Sequence, residues 1–388
     1  MARSAPSVGQ VFALFLKLGA TAFGGLAMVT YIRDQTVRRR QWLSEQSFQD
    51  GVVLCQSLPG ATVMQVAAYV GLRTRGILGA LAAYVGFALP AFVLMVVLSH
   101  FYGQGQNVQQ VVAAFRGLQV IVITLMANAA VTFARGSIRS WADGILAVGV
   151  AALMGFGVPP LIAIGVAAAL GLLVCRRSIP LAPESTSIRG DDSRRALGHA
   201  IGLVALIAAG LLLLAFLSGR LFSLATLMLK VDTLAFGGAF ASMPLMLHEV
   251  VDLRKWMDAK TFMDGIALGQ VTPGPILITA TFIGYQVAGL IGAIVGTIAI
   301  FSPSFIYIIL LTPHFDRLQR SRSFRAAVQG ASLAFVGILL VTSIRLGTSV
   351  SWNLRAAVLA GAAFAVLQLG ADFLWVVVVG TVAGVLLL

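Results

Sequence analysis

Ten apolar stretches of about 16–26 residues follow one another along this chain, separated by short polar gaps. A helix needs about 20 apolar residues to cross the roughly 30 Å hydrocarbon core of a bilayer. Such a succession therefore predicts an all-α polytopic membrane protein and excludes a soluble enzyme with one anchor. Of 388 residues, 59% are hydrophobic and only 11% charged, and a mean hydropathy of +0.95 is too high for a soluble chain with a tail. The 41 glycines and 12 prolines predict broken or re-entrant helices, which a membrane tolerates where neighbouring segments satisfy the freed backbone groups.

The formal charge of +13 is spread over short loops rather than gathered in a stripe, as the positive-inside rule expects and nucleic-acid binding does not. Cys55 and Cys175 lie about 120 residues apart, which supports neither a disulfide framework nor a metal site. The Met1-Ala2-Arg3 start lacks a small-residue cleavage site, so no cleaved secretory signal is expected. No two of His100, His199, His248 and His314 have i, i+4 ligand spacing, and no strand precedes the glycine pairs as a dinucleotide site requires. No catalytic residues, metal or cofactor are expected.

The chain repeats itself. Lys17 and Ala22-Phe23-Gly24-Gly25 recur 213 residues later as Lys230 and Ala235-Phe236-Gly237-Gly238. Arg40, Trp42, Phe48, Asp50-Gly51, Gln56 and Pro59-Gly60 recur at a spacing of 214 as Arg254, Trp256, Phe262, Asp264-Gly265, Gln270 and Pro273-Gly274. Gly71, Gly76, Gly79, Pro90, Phe92 and Gly117 return at 213 as Gly284, Gly289, Gly292, Pro303, Phe305 and Gly330. Each half then carries four long apolar stretches, at 77–100, 111–134, 141–158 and 161–174 and at 290–311, 326–344, 354–369 and 373–388. The expected organisation is a first repeat at 1–176, a charged linker and linking transmembrane helix at 177–219, and a second repeat at 220–388.

If each repeat crosses the membrane an even number of times, the linking helix turns the second upside down, the inverted-repeat plan common among secondary transporters. The basic residues agree. Arg135, Arg139, Arg176, Arg177, Arg189, Arg194 and Arg195 fall in loops that an inward-starting first half places in the cytoplasm. Arg317, Arg320, Arg322 and Arg325 follow a span that inversion brings back inside, whereas the equivalent 100–110 has no Lys or Arg; Arg355 is an exception. Segments 44–56 and 60–72 are too short to span, at about 20 Å each, so Pro59-Gly60 is expected to separate two half-helices. The stretch 8–37 admits either a hinge at the double glycine or one tilted span.

A helix that starts at mid-membrane exposes backbone N–H groups and the positive end of its dipole where no bulk water competes, which suits an anion. Pro59-Gly60 and Pro273-Gly274 fit that role, since glycine lets an oxyanion approach the backbone. Lys17 and Lys230, set in apolar sequence, are candidate cations with snorkelling as their alternative. Gln56 and Gln270 are candidate uncharged donors, or polar contacts between helices. Arg40 and Arg254 stand as vestibule residues or a solvated face. Asp50 and Asp264, the matched acids, stand as proton-coupling groups, helix caps or salt-bridge partners.

Phe23-Gly24-Gly25, Arg39-Arg40-Gln41-Trp42-Leu43, Gln56-Ser57-Leu58-Pro59-Gly60, Phe236-Gly237-Gly238 and Gln270-Val271-Thr272-Pro273-Gly274-Pro275 resemble the chromate ion transporter family in its long, two-repeat form. The resemblance implies a multi-pass carrier of the bacterial inner membrane that exports chromate from the cytoplasm. It also brings Phe23, Gly24, Gly25, Phe236, Gly237, Gly238 and Thr272 into the candidate substrate site. One departure is Pro59-Gly60-Ala61, where the family's first half continues with a second proline. Chromate and sulfate share charge and shape, so a sulfate or related oxyanion carrier remains an alternative, as does an anion channel. The expected partners are the oxyanion, the lipid bilayer and a coupling proton or counter-anion; nucleic acid is not expected, and a homodimer is compatible with the reading.

Overall fold

The computed structural model describes residues 6–21, 26–105, 108–174, 190–236, 239–315, 321–371 and 373–387. Among these residues there are fifteen α-helices and no strand. The first half contains α1 (Val8–Thr21), α2 (Leu26–Arg33), α3 (Glu45–Ser57), α4 (Thr62–Gly105), α5 (Gln109–Ser137), α6 (Trp141–Gly155) and α7 (Pro160–Val174). The linking helix α8 is Gly190–Leu217. The second half contains α9 (Gly219–Leu234), α10 (Ala239–Leu247), α11 (Ala259–Val271), α12 (Thr279–Leu311), α13 (Arg322–Thr348), α14 (Leu354–Gln368) and α15 (Phe373–Leu387).

The sequence repeat is reproduced in backbone detail. α2 and α10 each run into a π-helical turn, Asp34–Arg39 and His248–Leu253. Both turns end in a left-handed residue, Gln41 at φ 55° and Lys255 at φ 49°. The Pro-Gly breaks separate α3 from α4 and α11 from α12, with Gly60 at φ 106° and Gly274 at φ 111°. An L side chain rarely adopts such angles, so glycine is required at both. A straight helix of 44 residues would be about 66 Å long, twice the hydrocarbon core. α4 instead turns back at Arg75-Gly76, and α12 does so at the equivalent Ala288-Gly289.

Five helical segments are long and apolar enough to cross a membrane: α4, α5, the 194–217 part of α8, the 276–314 segment containing α12, and α13. The chain is a multi-pass membrane protein. α6, α7, α14 and α15 have 15 residues each, or about 22 Å, and α6 and α14 stop short of the apolar stretches that contain them. Gly157 at φ 81° ends α6 and Gly370 at φ 88° follows α14, while Pro159-Pro160 cannot continue a preceding helix. The 141–158 and 354–369 stretches therefore do not remain helical to their ends.

The chain forms two compact units, and each draws on both halves of the sequence. One comprises Met1–Val96, Leu181–Ala239 and Thr272–Ser321; the other comprises Val97–Pro180, Phe240–Val271 and Arg322–Leu388. In the first unit, α3 and the 62–74 arm of α4 form a hairpin. Tyr69 lies over Gly51 and donates its hydroxyl to the Ser47 carbonyl at 3.0 Å. The two arms of α4 touch backbone to backbone at Gly71 and Gly79, and those of α12 at Gly284 and Gly292, where a methyl group on any of the four would strike the opposing chain.

In the second unit α5 packs on α15 and α13 packs on α7. A Cβ on Gly117 would lie 2.6 Å from the Gly384 Cα, and one on Gly171 would lie 2.8 Å from the Gly330 Cα. These two contacts are the same contact made twice, because Gly117 and Gly330 are repeat equivalents and so are Gly171 and Gly384. Each half thus contributes one helix to a close contact with the other half. Small residues of this kind drive helix association in lipid, where apolar burial supplies no advantage.

Substitution should separate contact glycines from open ones. Gly330→Ala forces a methyl group into the Ala167 carbonyl and is expected to cost about 1–3 kcal/mol, whereas Gly149→Ala meets nothing within 4 Å. Thermal unfolding in detergent should show a lowered midpoint for the first and none for the second.

Candidate functional site

The two Pro-Gly breaks occupy equivalent places in the first unit and meet different surroundings. Gly60 faces Asp232 of α9 and Ser304 of α12: a Cβ there would lie 2.8 Å from Asp232 Oδ1 and would overlap the Ser304 hydroxyl. Gly274 faces α1 and α4, its Cβ position lying 2.8 Å from Ala91 Cβ and 3.8 Å from the Gly19 carbonyl oxygen. Gly19 and Asp232 are repeat equivalents, as are Ala91 and Ser304. Each break is therefore seated on the other half at the same two positions, polar in one case and small and apolar in the other.

The backbone follows that difference. The Gly60 N–H donates to the Ala235 carbonyl at 3.0 Å, where the second half leaves α9, and the Ala61 N–H donates to Ser304 Oγ at 3.0 Å. Gln65 closes the cluster, donating to the Pro59 carbonyl at 2.6 Å. The amides of the first break are thus not bare. At the second break proline replaces Ala61, as Pro275, and the Gly274 N–H has no acceptor among the described residues. Thr272 is buried, Pro273 half-buried and Gly274 buried.

The paired candidate side chains also diverge. Gln56 at the end of α3 is exposed, whereas Gln270 at the end of α11 is 3% exposed, with neither its amide nitrogen nor its oxygen hydrogen-bonded. Lys17 is exposed on α1 and Lys230 is half-buried on α9. Asp50 is half-buried and accepts from Gln46 at 2.9 Å. Asp264 is fully buried in the second unit and accepts from Tyr102 at 2.7 Å and Gln119 at 2.6 Å. Phe236 is half-buried beside the break after α9. Phe23, Gly24, Gly25, Gly237 and Gly238 lie outside the described residues.

Arg40 and Arg254 each stack over the tryptophan two residues on, with the guanidinium carbon 5.3 Å from the Trp42 ring and 5.4 Å from the Trp256 ring. Arg254 also pairs with the buried Glu249 carboxylate. Both arginines brace the turn that follows the π-helical segment, a local role that the spacing Arg-X-Trp carries. Asp232, Ser304 and Gln65 escaped the sequence reading. Asp232 does carry a signal, an acid two residues after a lysine within apolar sequence, but its repeat equivalent is a glycine, and a search for matched residues passes over it.

The π-helical turn of the second half is tied down by charge. Arg345 donates to both carboxylate oxygens of Asp252, one at 2.5 Å, and His248 Nδ1 lies 3.3 Å from Asp252 Oδ2. Burial pushes the Asp252 carboxyl up, but the hydrogen bonds and charge of Arg345, with a smaller contribution from His248, hold it below its ordinary value of 3.8. A carboxylate lowered on folding stabilises the fold above its unfolded pKa and ceases to as pH falls through the folded value. The detergent-solubilised melting midpoint should therefore drop below pH 3.8, and Asp252→Asn should flatten that acid limb while lowering the midpoint at neutral pH.

Comparison with known proteins places these observations. The chromate transporter family matches residues 9–172 and again 222–385, the same stretch twice. An uncharacterized transporter of Methanocaldococcus jannaschii is 43% identical over 390 residues, covering 100% of this chain and 96% of that protein. The chromate transport protein of Pseudomonas aeruginosa is 31% identical, covering 88% of this chain and 81% of the relative. That of Cupriavidus metallidurans is 29% identical, covering 85% and 80%. No solved structure matches the chain. With both halves matched and relatives aligned over nearly its whole length, the chain belongs to the chromate transporter family.

Proposed function

We propose that this protein is a secondary active transporter that exports chromate from the cytoplasm across the inner membrane, and that the oxyanion is held at the second Pro-Gly break. The family and the names of its relatives support chromate as the substrate class. The observation that carries the site is Gln270, a buried amide with both polar atoms unused, four residues before a Gly274 N–H that also lacks an acceptor among the described residues. A buried donor left unmade costs about 1–3 kcal/mol, which a bound oxyanion would recover. A dianion is disfavoured at the first break, where the Asp232 oxygens crowd Gly60 and the nearby amides already have acceptors. Lys17, exposed on α1 two residues before the Gly19 that faces Gly274, adds weak positive potential on that side.

Transport follows from alternating access: the broken helices of two inverted repeats, joined through the single linking helix α8, present the site to one side and then the other. Nothing in the residue chemistry separates chromate from sulfate, so sulfate is expected to compete.

The test is uptake of labelled chromate and sulfate into proteoliposomes, together with chromate accumulation by cells expressing the protein. Expressing cells should accumulate less chromate than controls. Loss of a hydrogen bond to a charged group, worth about 1.5–3 kcal/mol, predicts that Gln270→Ala raises the half-saturation concentration roughly 10–100-fold, while Gln56→Ala changes it less than about two-fold. Equal effects of the two substitutions would remove the assignment to the second break, and unchanged accumulation with protein present in the membrane would remove chromate export.

A further inference from the structure

The first break, which the oxyanion does not use, is seated on a carboxylate that nothing neutralises. Asp232 is 0% exposed. Its Oδ2 accepts the Ser304 backbone N–H at 2.8 Å, but Oδ1 has no hydrogen-bond partner. Among the described residues no Lys, Arg or His forms an ion pair with it. The same cluster holds a second orphan: Gln65, also fully buried, donates to the Pro59 carbonyl and to Ser304 Oγ, and its Oε1 receives nothing. Two other titratable groups sense the Asp232 charge, Tyr84 from α4 and Tyr307 from α12; Tyr84 donates its hydroxyl to the Phe301 carbonyl at 2.6 Å. Lys230 lies two residues earlier on α9.

An ionised carboxylate without a counter-charge is expensive in a dry interior, and a cluster with two unused acceptors lacks a hydrogen. One proton on Asp232 meets both deficits. It removes the charge and gives the carboxyl group a hydrogen of its own at the unpartnered Oδ1. The negative end of the α9 dipole, in whose last turn Asp232 sits, favours the same neutral form. An alkali cation is a poorer fit, because the carboxylate lies so close to Gly60 that even a methyl group is excluded.

We infer that Asp232 is a proton-binding site that couples transport to proton movement. It is neutral while the Pro59-Gly60 break is seated on it, and it ionises when the break lifts and water reaches it. The proton exchanges only as the broken helix moves, which links charge to conformation at a single contact. This inference rests on the carrier reading above, and it assigns coupling to an acid other than the matched pair Asp50 and Asp264.

Asp232→Asn keeps the shape and removes the proton site, with Asp232→Ser as a second variant should the amide fail to fold. In proteoliposomes the wild-type protein should accumulate labelled sulfate or chromate against its gradient when a pH gradient is imposed, with an internal pH dye recording proton movement in step. The variant should lose both by at least ten-fold while downhill exchange remains measurable. Infrared difference spectra of wild type and variant at neutral pH should show the carbonyl band of a protonated carboxylic acid in the wild type alone, a readout that needs no transport. Full pH-driven accumulation in the variant, a sodium gradient replacing the pH gradient in the wild type, or wild-type anion flux without proton movement would each overturn the inference. No anion flux in the wild type would count against the carrier reading instead, and the infrared band would then decide the proton site alone.

Discussion

Backbone contact between the two halves of the chain, possible only where a side chain is missing, is the constraint on which the rest depends. Gly117 meets Gly384 in one unit, and the equivalent Gly330 meets Gly171. In the other, Gly60 is pressed onto α9 and α12 and Gly274 onto α1 and α4. Lipid tails are as apolar as leucine, so association inside a membrane relies on close packing and on polar groups finding one another. The glycines permit the first, and the amides at the breaks require the second.

Because every such contact is made twice, the two copies were free to diverge without losing the frame. At one seat Asp232 and Ser304 accept or approach the break; at the other Gly19 and Ala91 offer it no polar side chain. Gln270 is buried where Gln56 is exposed, and Asp264 is enclosed by Tyr102 and Gln119 where Asp50 reaches only a neighbour on its own helix. A pair of equivalent positions has thus become two unlike environments.

Much of the fold was legible because membrane insertion imposes simple lengths and because Lys and Trp, rare in this chain, recur in register together with Arg, Asp and Gln. The helix breaks at Pro-Gly were readable for the same reason: proline and glycine have few local roles. The turn at Arg75-Gly76 falls in the gap between the 60–72 segment and the 77–100 stretch, so its place was legible too. The π-helical turns left no pattern in the sequence. Among candidate residues, Gln270 could be singled out because it repeats, whereas Asp232 was passed over because it does not. Matching copies reveals the shared scaffold, and chemistry that belongs to one copy must be sought where the match fails.

The central claim is that each break is seated on the opposite half at equivalent positions, and intramolecular cross-linking tests it most directly. In a chain with Cys55 and Cys175 replaced by alanine, one variant carries cysteines at Ala61 and Ser304 and a second carries them at Ala91 and Pro275. The account predicts that mild oxidation links both pairs within one chain at comparable rates. Linkage of neither pair, with the protein intact in the membrane, would contradict it.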